Sequence, residues 1–377
     1  MCLNPANTLS QQFPTVHKVF HSRAKCRLAE ISDMPKYWRI SDRAIRNGQP
    51  SSIDRGPLTF WIADKLAGDR TIDWQRITQD QFRKLLIAAS DEFPVIEHYE
   101  DQPHVTFFVH GYNVGWQASS SSYQNLCARM FEGDQSMGLC VSFDWPSYGN
   151  VLGYYPDRAH ARACAQDLTD ILSELFDWLV KKQGDALKAT VAVAKGKEPT
   201  TEPCKAKVSV ISHSMGNYLL QKAMAAAWTR KNQPLLVSLI NQLVMVAADV
   251  DNNLFDAGAP DNDDGAAVVN LTYRITALYS GRDAVLGASA GLKHFGIRRL
   301  GRSGLATRPP LITALPQTDN AWDVDCSSFF PPTIGDMAIH GAYFVTDGTI
   351  ELMRQILRGI DRAVLRASPA IKGNAWP

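Results

Sequence analysis

Two periodicities alternate through the middle of the chain. Short, mostly apolar runs at residues 105–109, 139–143, 208–211 and 243–247 read as strands buried on both faces. Residues 273–279 alternate apolar and polar like a further strand, and 322–326 read as the last one. Between them, residues 157–182 place Leu168, Ile171, Leu172, Leu175, Phe176 and Leu179 at steps of three and one, a single helical stripe. Residues 349–365 carry Ile350, Met353, Ile356, Leu357 and Ile360 on one face of a closing helix, and 78–90 predict a shorter one. Repeated strand–helix units predict an α/β protein: a mostly parallel central sheet with helices on both faces. In such sheets ligands bind beyond the carboxyl ends of the strands.

Two stretches interrupt the alternation. Residues 181–207 contain Gly184, Gly196, Pro199 and Pro203 and predict a solvated excursion, and residues 257–265 predict an acidic loop. Before residue 105 few strands are legible; 56–62 is one. The organisation expected is an N-terminal extension with the first strands over 1–100, a catalytic domain over 101–366 and a tail over 367–377.

The chemistry gathers at the predicted strand ends. Ser212-His213-Ser214-Met215-Gly216 follows one apolar strand and precedes a helix. A serine on a strand-to-helix turn is a nucleophile elbow, although Ser212 stands where glycine is usual. His213 is expected to be structural, pointing away along its strand. A nucleophilic serine needs a base and a carboxylate to orient it, in the order serine, acid, histidine for this arrangement. Asp283 follows the 273–279 strand, and His340 lies beyond the last strand, in an expected loop ahead of the closing helix. Asp249 and Asp251, after the preceding strand, are the alternative acids. An oxyanion hole is expected from the N–H of Met215 and from the His110-Gly111-Tyr112-Asn113 loop, through Gly111 or Tyr112. His110, Asn113, Trp145 and Asp249 are candidate pocket-lining residues.

The runs VTFFVHGYN, VSFDWPSYG, VSVISHSMGN, ALYSGRDAVLGAS with RRLG behind it, and HGAYF resemble the bacterial α/β-hydrolase family catalogued as a domain of unknown function (number nine hundred). The resemblance covers roughly residues 100 to 360 and implies an α/β-hydrolase fold with a triad on Ser214, Asp283 and His340. It implies little about substrate.

Composition narrows the rest. The 377 residues suffice for one large α/β domain or two small ones, and 45% hydrophobic with 20% charged residues is ordinary for a soluble enzyme. A net charge of +1 gives no sign of a nucleic-acid or anionic-membrane partner. No apolar run reaches transmembrane length, and residues 1–14 lack the pattern of a secretory signal. Seven cysteines without a C-x-x-C pair are expected mainly as core residues of a cytoplasmic protein. No metal or nucleotide motif occurs, so no cofactor is expected. The expected activity is carboxylic-ester hydrolysis on a small acyl substrate. Amide or peptide cleavage, acyl transfer, or a non-catalytic binding module on the same fold are the alternatives.

Overall fold

The computed structural model describes residues 34–66, 72–93, 103–147, 153–194, 207–231, 238–307, 320–360 and 365. Nine strands form one sheet: β1 (Tyr37–Arg46), β2 (Gln49–Ala63), β3 (Gln75–Ile77), β4 (His104–Val109), β5 (Gly138–Asp144), β6 (Lys207–His213), β7 (Ile240–Val246), β8 (Thr272–Tyr279) and β9 (Ala321–Asp325). Their spatial order is β3-β2-β1-β5-β4-β6-β7-β8-β9. Only β2 runs against its neighbours; every other pairing is parallel.

Side chains alternate across the pleat, and both faces are apolar. Phe107, Val210 and Leu243 enter one core, with Leu168 and Leu219 of the overlying helices. Their neighbours Phe108, Ile211 and Val244 enter the other, with Tyr123 and Met353. This double burial explains the unbroken apolar runs. The helices are α1 (Gln79–Asp91), α2 (Trp116–Met130), α3 (Tyr154–Ala194), α4 (Gly216–Lys231), α5 (Asn262–Leu271), α6 (Ala284–Ala288), α7 (Leu300–Ser303), α8 (Asp336–Ala342) and α9 (Asp347–Arg358). A capping box between Thr78 and Gln81 starts α1, and Gly359 in the left-handed region ends α9.

Four expectations are corrected. The N-terminal region is rich in strand, because β1 to β3 extend the sheet and β1 pairs directly with β5. Its pattern is hidden because β1 buries charge. The Arg43 guanidinium meets the Asp144 carboxylate at 2.7 Å with both side chains buried. Arg39 lies 4.4 Å and 4.2 Å from the rings of Trp74 and Trp116. Second, α3 continues to Ala194 rather than ending at 182; its alanine-rich continuation favours helix despite Gly184. Third, the acidic stretch 257–265 ends inside α5, whose first turn carries Asp263 and Asp264. Carboxylates there complement the helix dipole. Fourth, His340 sits on α8, not in a loop.

Cys127, Cys140, Cys164 and Cys326 are free and buried, in keeping with a core role, while Cys2, Cys26 and Cys204 lie outside the described residues. The side chains of Phe176 and Leu179, and the tail 367–377, also lie outside them. No described helix is long and apolar enough to cross a membrane.

Candidate active site

The chain proceeds from β4 to β5 on one side and then returns to β6 on the other. The order therefore reverses at β4, and a crevice opens beyond the carboxyl ends of β4 and β6. The Gly111 loop leaves one strand there and Ser214 leaves the other.

Ser214 occupies the turn between β6 and α4 with φ of 53°, a left-handed conformation uncommon outside glycine. Its N–H donates to the Val246 carbonyl (3.0 Å), and its carbonyl accepts the N–H of Asp249 (3.1 Å) and of Asn217 (3.1 Å). These bonds hold the turn in place. Two glycines let the neighbouring segments approach. A Cβ on Gly216 would lie 2.5 Å from the His110 carbonyl oxygen, and one on Gly111 would lie 2.8 Å from Cβ of Ser214. Ser212, at the elbow's first position, is buried without strain in the turn.

The predicted residues meet. The Ser214 hydroxyl donates to Nε2 of His340 (2.8 Å), and Nδ1–H of His340 donates to Oδ2 of Asp283 (2.8 Å). Asp283 is fully buried, and its Oδ1 caps α6 by accepting the N–H of Leu286 (2.9 Å). Arg302 donates to the Asp283 carbonyl. Both carboxylate oxygens are thus fixed.

His213 differs from expectation. It does not point away from the site: its ring centroid lies 4.8 Å from that of His340, and its Nε2–H donates to the His340 carbonyl (2.8 Å). The alternation of β6 explains this, because His213 shares the Ile211 face, towards α8 and Phe344. Burial, assisted by the neighbouring His340, pushes its pKa down to about 3, so the ring is neutral.

Asp249, the alternative acid, has other partners. It accepts from Nε of Arg299 (2.8 Å), the hydroxyl of Ser289 (2.8 Å) and that of Tyr154 (2.8 Å). Burial acts to raise its pKa, but Arg299 and these hydroxyls outweigh it and hold the carboxyl below the ordinary range. Asp251 also pairs with Arg299. Neither touches His340 through a hydrogen bond.

The loop after β4 is held from behind. The His110 ring stacks on Trp145 (5.4 Å, 4° between planes) and donates from Nδ1 to the Gly111 carbonyl (2.8 Å). Trp145 donates from its indole to the His110 carbonyl (2.8 Å). His110, Trp145 and Asp249 are buried beside the loop and the serine turn; Asn113 is exposed. Sequence reading missed the other supports. The Ser147 hydroxyl accepts the N–H of Asn113 (2.7 Å) and donates to Asp157 (2.6 Å). Only the Asp144-Trp145-Pro146-Ser147 run hinted at this. Arg43, which donates to the Val114 carbonyl (2.8 Å), gave no signal at all.

A mostly parallel sheet with a serine elbow at its switch point defines the α/β-hydrolase fold. Residues 88–183 and 180–314 match the family described as "Alpha/beta hydrolase of unknown function (DUF900)", and the chain belongs to that family. The matched span includes Ser214 and Asp283 but ends before His340. No curated protein sequence matches the chain. Among solved structures, Aspergillus fumigatus lipase B is similar over 83% of this chain and 74% of its own, at 12% identity and a TM-score of 0.30. A likeness that remote carries no argument about activity.

Proposed function

We propose that this chain is a serine hydrolase of carboxylic esters with Ser214 as nucleophile, His340 as base and Asp283 as the orienting acid. The observation that carries the reading is the unbroken hydrogen-bond line Ser214–His340–Asp283, with 2.8 Å at each step. His340 accepts the Ser214 proton as the oxygen attacks the acyl carbonyl. Asp283 keeps the proton of the neutral imidazole on Nδ1, leaving Nε2 free to accept, and stabilises the imidazolium that forms. The N–H of Met215 and one from the Gly111–Tyr112 turn serve the oxyanion. Gly111 supports this because its missing side chain leaves the loop backbone against Ser214. His340 then returns its proton to the leaving alcohol, and water resolves the acyl-enzyme by the same route reversed. Esters are the substrate class because an alkoxide leaves with less help than an amine. The buried free cysteines fit a reducing compartment, the cytoplasm.

Turnover of p-nitrophenyl esters and labelling by a fluorophosphonate probe test this reading. Ser214→Ala should lose both while its circular dichroism and melting stay native, with turnover down by about 10⁴-fold or more. Near wild-type turnover in that variant would overturn the assignment.

A further inference from the structure

After α6 the chain passes through a π-helical turn, Ser289–Lys293, and reverses sharply at Phe295 (φ 51°) and Gly296 (φ 90°). The reversal presents apolar side chains to solvent. Phe295 is 92% exposed, Leu292 75% and Ile297 47%, and Tyr155 beside them is 52% exposed. A left-handed conformation is disfavoured for a bulky aromatic residue. The backbone there closes the helical turn, with the Gly296 N–H donating to the Ala290 carbonyl (2.8 Å), but the Phe295 side chain itself is left without cover.

This tip is firmly mounted. His294 donates from Nε2 to the Tyr154 hydroxyl (2.5 Å), and that hydroxyl donates to Asp249 (2.8 Å). The N–H of Asp249 in turn donates to the Ser214 carbonyl (3.1 Å). The Tyr155 hydroxyl donates to the Lys293 carbonyl (3.2 Å). A short chain of hydrogen bonds thus ties the apolar tip to the nucleophile turn.

Its charge has one sign. Residues 284–318 hold Lys293, Arg298, Arg299, Arg302 and Arg308 and no Asp or Glu. Arg299 is turned inward to Asp249 and Asp251, and Arg302 to the Asp283 carbonyl. Arg298 is exposed, and the Lys293 ammonium lies 5.2 Å from the Tyr155 ring centroid. Asp251 is paired with Arg299, and Asp261 and Asp264 with Lys222.

We propose that the 292–298 tip docks the protein on an anionic lipid surface. Leu292 and Phe295 enter the boundary of the acyl chains while Lys293 and Arg298 meet the headgroups. The near-neutral net charge gave no sign of this, because attraction to a charged membrane is local and decays within a Debye length. Docking does not depend on the hydrolase reading; where that reading also holds, the ester substrates are membrane lipids or esters dissolved in the bilayer.

Sedimentation of the full chain with phosphatidylcholine vesicles, with and without phosphatidylglycerol, tests the proposal. Binding is expected to the phosphatidylglycerol vesicles and should weaken as salt rises. Leu292→Ser and Phe295→Asn should each lower the partition coefficient about tenfold or more. Asn tolerates the left-handed backbone at 295, so that variant keeps the fold. Lys293→Gln and Arg298→Gln should each lower binding about fivefold. Turnover of a short, soluble ester should be unchanged in all four. Ser214→Ala should sediment like the parent protein, which separates lipid docking from catalysis. The proposal is overturned if the parent protein binds neither vesicle, or if Leu292→Ser and Phe295→Asn bind undiminished. A dimer formed without lipid and dissolved by Phe295→Asn would also overturn it, by showing that a second copy covers the tip.

Discussion

The Asp283 carboxylate selects one tautomer of His340, and its amide should select the other. In the Asp283→Asn variant the Oδ1 position still accepts the Leu286 N–H, so α6 keeps its cap. The changed atom is the one facing Nδ1 of His340 at 2.8 Å. An amide nitrogen there donates rather than accepts, so Nδ1 must become the acceptor and Nε2 carries the proton. Nε2 can then no longer take the Ser214 proton. Asp283 is fully buried, so no water can stand in for the lost acceptor. The expected loss in kcat is about 10³ to 10⁴-fold, or roughly 4 to 5.5 kcal/mol of barrier. Asp249→Asn gives the contrast. It weakens the anchor of the buried Arg299 while leaving His340 untouched. Its cost should appear as about 2–4 kcal/mol of stability, with kcat changed by less than about tenfold. Steady-state kinetics on one soluble ester, with urea melts of both variants, check the pair. A crippled Asp249→Asn beside an active Asp283→Asn would refute the reasoning and move the acid to β7.

Two further outcomes follow from the same geometry. Gly111→Ala should lower kcat by about 10²-fold with little change in fluorescence-detected folding, because the new Cβ would press on Ser214 and displace the oxyanion loop; an unchanged kcat would show that the loop carries no donor. Stability should fall in acid. Burial lowers the pKa of both His104 and His213 to about 3, so the folded state binds fewer protons than the unfolded chain between pH of about 6.5 and 3. The stabilisation from keeping these rings neutral is complete above that window and is lost as pH falls through it, by about 2 kcal/mol per ring at pH 5. Denaturant midpoints measured from pH 7 to 4.5 check this, and midpoints that stay level would contradict it.

Periodicity alone gave β4 to β9 and the main helices, because a strand buried on both faces must be apolar at nearly every position. The local run from Ser212 to Gly216 announced a strand-to-helix turn carrying a serine, and chain order brought Asp283 and His340 into view as its partners. Local pattern failed where burial was achieved by pairing instead of hydrophobicity. β1 hides Arg39 and Arg43 against Trp74, Trp116 and Asp144, partners as many as 101 residues away. The order of strands favoured Asp283 over Asp249, but sequence alone left both open, since each lies a few residues past the end of a parallel strand. Only the packed structure brings Arg299 to Asp249 and His340 to Asp283. The turning of His213 towards the site was likewise decided by the fold, because only α8 supplies the His340 carbonyl that its ring holds. Sequence determines which residues can do the chemistry; distance in space, set by long-range pairing, decides which of them meet.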